Sequence, residues 1–173
     1  MRHQQSPLQK PNIRRFHTAL QNMSVDTQAL YLELAIDPRV MEKEDASLSL
    51  VKHYELLELA ALRSNNRFLG IAMALDTRNN DLGVLGYMLR NAPNLAVSLE
   101  LVQRYVKLVA PSSTVSILDE NPHTTLTYKI SGISADLSIQ SIEMTVAQYV
   151  RLIRTILDDE NWQPVRMYFE HGA

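Results

Sequence analysis

The stretch DLGVLGYMLRNAPNLAVSLELVQRYVKL, Asp81 to Leu108, reads as a glycine-containing turn packed against a capped amphipathic helix. Asn91-Ala92-Pro93 ends the first piece, and Asn94 is placed to cap the second. Leu95, Leu99, Val102, Val106 and Val109 recur at intervals of four and three, the spacing of one buried helical stripe, and Pro111 stops it. Gly83, Gly86 and Pro93 are the expected structural turn residues. Gly83-Val-Leu-Gly86 lacks the length and the lysine of a phosphate-binding loop. Glycines at that spacing favour close packing of backbones.

Toward the N-terminus the pattern stays helical. Phe16, Leu20, Met23, Leu30 and Leu34 predict one or two short helices between Ile13 and Leu34, with Asp26 a cap for the second and Asp37-Pro38 an end. A charged connection from Met41 to Ala46 leads to a helix starting near Ser47 or Ser49. That helix carries Leu50, Tyr54, Leu57 and Ala61 on one face and breaks at Asn65-Asn66. A short helix over Phe68 to Leu75 follows. Beyond Pro111 the period becomes two. Val115 and Ile117, then Leu126, Tyr128 and Ile130, predict a hairpin around a five-residue loop, Asp119 to His123. Leu137 to Leu157 returns to helix, with Ile142, Val146, Tyr149, Ile153 and Ile156 on one stripe. Val165, Met167 and Phe169 alternate as a third strand.

The expected class is α+β. It is mostly helical, with a small antiparallel sheet (a hairpin over about 113–130 plus a strand over about 164–170) packed against helices. A strand in that terminal position leaves an edge that a partner or further sequence should cover. The 173 residues suit one ordinary domain. Residues 1–12 read as a flexible basic arm and 13–173 as the domain proper, expected to be truncated at its C-terminal end.

Composition excludes several functions. There is no cysteine, so disulfides and thiolate chemistry are out. The net charge of −2 gives no overall field for nucleic acid, although Arg2, Lys10, Arg14 and Arg15 precede the first acidic residue, Asp26. No window approaches 18 consecutive apolar residues and no signal peptide appears, so a soluble, cytoplasmic protein without membrane association is expected. None of the five histidines has another at metal-binding helical spacing, and no Gly-x-Ser-x-Gly elbow exists. No metal, no cofactor and no enzyme activity are expected. His53 beside Glu55 and Glu58 reads as a satisfied surface histidine. Tyr87, Arg104, Tyr105 and Tyr149 are the candidate ligand contacts, aromatic bodies with a few polar heads. Arg151 and Arg154 accompany Tyr149.

The wording from Asp81 to Leu108 resembles the N-terminal regulatory domain of AraC/XylS-type transcription regulators, the branch called arabinose-binding-like. The resemblance rests on Gly83 to Tyr87, on Asn91 to Leu95, and on Ser98-Leu99 leading to Arg104-Tyr105. Leu34-Ala-Ile-Asp-Pro-Arg-Val and Asn161 to His171 resemble two further segments of that domain. Ala35 stands where the family commonly has glycine. The resemblance implies an effector-sensing or dimerising half, with an unknown small-molecule effector and a homodimer as compatible partners. DNA would be reached only through a C-terminal helix-turn-helix domain that has no match here. An alternative is a protein–protein or dimerisation module with no small ligand. An enclosed pocket of a few hundred Å³ edged by Tyr87 or Tyr105 would favour sensing, and a packed interior with an exposed apolar helix face would favour interaction.

Overall fold

A computed structural model describes residues 13–42, 48–76 and 83–171. The basic arm, the charged connection at residues 43–47, and Asp81 and Leu82 of the opening stretch lie outside the described residues. Helix α1 (Ile13–Asn22) is followed by α2 (Thr27–Glu33), a 3-10 turn over Pro38–Glu42, α3 (Leu50–Arg63), α4 (Leu69–Asp76), α5 (Gly83–Arg90) and α6 (Leu95–Val109). The chain then forms β1 (Ser113–Glu120) and β2 (His123–Ile130), a 3-10 turn over Ala135–Leu137, and the long α7 (Ile139–Leu157).

The helix starts sit where the cap residues put them. The Asp26 carboxylate accepts from the backbone N–H groups of Gln28 and Ala29, both at 3.1 Å. The side chains of Ser49 and Asn94 accept from Lys52 N–H and Val97 N–H at 3.3 and 3.0 Å. Each satisfies a donor that the first helical turn leaves without a partner. Asn65, with φ +50°, reverses the chain after α3, as the Asn-Asn pair suggested.

Three expectations need correction. Gly83 and Gly86 lie inside helix α5, not in a turn, and the turn is confined to the Asn91–Asn94 connection that holds Pro93. The hairpin loop is shorter than five residues: Asp119 pairs with Thr124 and Glu120 with His123, leaving only Asn121 and Pro122 between the strands. The third strand over 164–170 does not form, and the sheet among the described residues has two strands. Val165, Met167 and Phe169 do alternate, but among the described residues no strand lies beside them to complete a ladder. Val165 stays 80% and Tyr168 83% exposed.

The core divides into two clusters. One joins α1 to α4 around Leu20, Leu30, Tyr31, Leu56, Leu57, Leu69 and Met73 and reaches Met144 of α7. The other joins α5, α6 and the hairpin through Leu85, Leu89, Val102, Val106 and Val115, with Tyr149 and Leu152 of α7 against it. Helix α7 serves both. Its buried face is Gln140, Ser141 and Met144, whereas the expected stripe members Ile142, Val146, Ile153 and Ile156 are only half-buried.

Gln140 explains that choice of face. Its side-chain carbonyl accepts from Gly70 N–H at 2.7 Å and its amide donates to the Arg67 carbonyl at 3.0 Å. Its own backbone N–H donates to the Glu58 carboxylate at 2.7 Å. Gln140→Met keeps the volume and orphans the buried Gly70 N–H. A loss of about 2 kcal/mol is expected, read as a lower urea midpoint at unchanged slope.

Candidate functional site

Where the two clusters meet, the packing leaves a cavity of about 240 Å³. Its walls come from both halves of the core. Phe16 and Ala19 of α1, Leu50, His53 and Tyr54 of α3, and Met73 of α4 line one side. Leu85 and Leu89 of α5, Val102, Val106 and Val109 of α6, Ser113 of β1 and Tyr128 of β2 line the other. The floor is α7, from Ser141 and Met144 through Thr145, Gln148 and Tyr149 to Leu152. Mostly apolar walls with a few polar groups are the usual composition of a small-molecule site, and the volume lies near the small end of such sites.

The polar groups are mostly paired with each other. Ser113 Oγ and the Tyr128 hydroxyl are 2.7 Å apart, and Thr145 Oγ1 donates to the Ser141 carbonyl at 2.8 Å. The Tyr128 and Tyr149 rings meet edge-on at 6.2 Å. Burial raises the pKa of both phenols. Burial also pushes the Tyr54 phenol up to about 12, with the Tyr128 neighbour adding to it and a hydrogen bond with Ser141 opposing it. All three hydroxyls are therefore neutral at ordinary pH.

His53 is different. It is buried among rings, with Phe16 edge-on at 4.4 Å and Tyr54 at 5.6 Å between centroids. Its Nδ1 is buried and has no hydrogen-bond partner among the described residues. Burial pushes its pKa down to about 4, so the imidazole is neutral. The expectation of a satisfied surface histidine is corrected on both counts. The signal was present in the sequence: His53 lies three residues after Leu50 and four before Leu57, both on the expected buried stripe.

Of the four candidate ligand contacts, the structure brings Tyr149 alone to the cavity wall. Tyr87 is 64% exposed on α5, because Leu85 and Leu89 take the inward face and a residue two positions from each points away. Arg104 is exposed on α6 for the same reason, between the inward Val102 and Val106. Tyr105 packs against the second cluster away from the cavity. Arg151 donates to the Ala74 carbonyl and Arg154 to the Trp162 carbonyl at 2.9 Å, so both brace the backbone around α7. Tyr54, Tyr128 and His53 are the wall residues that the sequence reading passed over.

Among the described residues no group of three or more His, Cys, Asp or Glu side chains could hold a metal ion, and no helix is long and apolar enough to cross a membrane. The family model described as the arabinose-binding domain of AraC transcription regulators, N-terminal, matches residues 25–173. The chain is also similar to the HTH-type transcriptional regulator VirS of two Mycobacterium tuberculosis strains, CDC 1551 / Oshkosh and ATCC 25618 / H37Rv. Each is 24% identical over 156 residues, covering 87% of this chain and 45% of the relative. The chain thus spans about half the length of the relatives it matches.

Proposed function

The chain belongs to the family of N-terminal arabinose-binding domains of AraC transcription regulators, and from that premise we propose that it senses a small effector in the cavity between its two core clusters. The observation that carries this reading is the cavity itself, lined by members of both clusters and floored by the helix they share. A ligand there touches α1, α3 and α4 on one side and α5, α6 and the hairpin on the other. It therefore favours whichever relative arrangement of the halves closes on it. Differential affinity for two arrangements is all that a population shift requires. The shift is passed on through α7, which both halves grip. The family name does not fix the effector as a sugar, and binding of DNA would belong to a part of the protein beyond this domain.

Thermal unfolding tests the reading. A ligand that binds only the folded chain adds RT ln(1 + [L]/Kd) to its stability and raises the midpoint with concentration. Val106→Phe places a larger side chain into the existing void. It should keep stability within about 1 kcal/mol of the parent while abolishing every ligand-induced rise. A metabolite screen that leaves the midpoint unmoved, together with an oligomer that strengthens with protein concentration, would replace sensing by an interaction role. One observation favours dimerisation as a second role: Ile142, Val146, Ile153 and Ile156 leave an apolar stripe of α7 half-covered. Sedimentation at several concentrations, with Val146→Lys as the disrupting variant, tests that role.

A further inference from the structure

Resting on the sensing role, we propose that the cavity takes an uncharged, mainly apolar molecule of about eight non-hydrogen atoms, taking the ~30 Å³ share of a liquid water for each, with a hydroxyl that hydrogen-bonds the His53 ring.

Three observations lead there. First, among the described residues no aspartate, glutamate, lysine or arginine lines the cavity. An ionised ligand would leave water for a site with no opposite charge, a transfer that costs far more than its apolar contacts return. Carboxylates, amino acids and phosphates are therefore poor occupants. Second, most hydroxyls on the wall are engaged: Ser113 with Tyr128, Tyr54 with Ser141, and Thr145 with the backbone of its own helix. A sugar, which needs most of its hydroxyls met at once, finds too few open partners. Third, His53 lines the cavity, and its ring Nδ1, buried to less than 1 Å² of accessible surface, has no hydrogen-bond partner among the described residues. A buried polar atom without a hydrogen bond is costly and uncommon in a native protein. Both features are resolved by a ligand that fills the apolar volume while the His53 ring turns to present its nitrogen to it. A hydroxyl serves either ring tautomer, since it donates and accepts. The neutral imidazole that burial enforces is the form that keeps both options.

The test uses four probes of similar size on the whole chain: benzyl alcohol, ethylbenzene, benzoate and L-arabinose, followed by thermal shift and by ligand-observed NMR at neutral pH. The two uncharged aromatics should bind and lose binding in Val106→Phe. Benzoate and arabinose should bind at least about a hundredfold more weakly than the alcohol. His53→Leu should weaken benzyl alcohol about tenfold and leave ethylbenzene unchanged or tighter, because only the alcohol loses a partner. His53→Gln, which again offers a donor and an acceptor, should restore the alcohol to within a few-fold, a result that a folding defect cannot give. Binding of benzoate or arabinose as tight as that of the alcohol, competed by it, overturns the ligand class and leaves sensing intact. Equal weakening of alcohol and ethylbenzene in His53→Leu overturns the role of His53. A midpoint unmoved by all four probes overturns the cavity as a ligand site, and the sensing role with it.

Discussion

Gly70→Ala is expected to destabilise the chain by about 3 kcal/mol, although alanine is the better helix former by about 1 kcal/mol. A Cβ at Gly70 would lie 2.0 Å from the backbone carbonyl oxygen of Gln140 and 2.8 Å from its carbonyl carbon. Neither is the end of a flexible side chain, so α4 must withdraw from α7. Withdrawal also breaks the 2.7 Å bond from Gly70 N–H to the Gln140 side chain, leaving a buried donor unmet. The two losses outweigh the propensity gain. Gly132 supplies the contrast. It has open space around its Cβ position and φ +81°, so alanine there costs about 1–2 kcal/mol through backbone conformation alone. Urea unfolding of both variants checks the order. An unchanged or raised stability in Gly70→Ala would mean that α4 and α7 are not held at backbone contact.

That contact also separates what local sequence could reveal from what it could not. Asp26 and Asn94 were legible as caps, and Ser49 as one of two possible helix starts, because a cap bonds to residues two or three positions away. Asn65 and Pro111 were legible for the same reason: their backbone preferences act where they stand. The α+β class followed from the change of period after Pro111, and it holds. The buried face of α7 was not legible. Its most apolar stripe runs through Ile142 and Val146, yet the backbone approach at Gly70 selects the Gln140–Ser141–Met144 side. No apolar count signals a polar Gln140 that is buried because three groups seventy or more residues away bond to it. The third strand failed for the opposite reason. Alternation is a local signal, but a strand needs a neighbour, and residues 164–170 have none in the sheet. Of the four candidate contacts only one was legible as a wall residue. Tyr149 was chosen as an aromatic on an amphipathic helix and reaches the cavity. Tyr87 was chosen on the same ground and does not, because Leu85 and Leu89 already claim the inward face of α5.

The second large effect concerns acid. Relative to His53→Leu, the parent chain should lose roughly 3 kcal/mol of stability between about pH 6.5 and pH 4. In the unfolded chain His53 takes up its proton near 6.5, the ordinary histidine value; in the folded chain burial withholds it until about 4. Across that window the unfolded state binds the additional proton, so stability falls as the pH falls and is recovered on raising it. The raw curve of the parent also contains Glu58, whose carboxyl is raised chiefly by burial, with the neighbouring Glu143 adding and the Gln140 hydrogen bond opposing. Its contribution has the other sign: it is full below the unfolded carboxylate value and lost as the pH rises through the folded one. Only the difference between parent and His53→Leu isolates the histidine, and that difference is the quantity to measure, by urea unfolding at closely spaced pH values. Superimposable curves for the two proteins would show that His53 titrates normally and is not desolvated. The same linkage reaches the ligand. A hydroxyl bonded to neutral His53 holds the proton off further, so bound benzyl alcohol should move the lower end of the parent's acid loss below pH 4 while its onset stays near pH 6.5. In His53→Leu it should move nothing, because no imidazole remains to be kept neutral. The stability curve then reports on the bond at the cavity wall as well as on the burial of the ring.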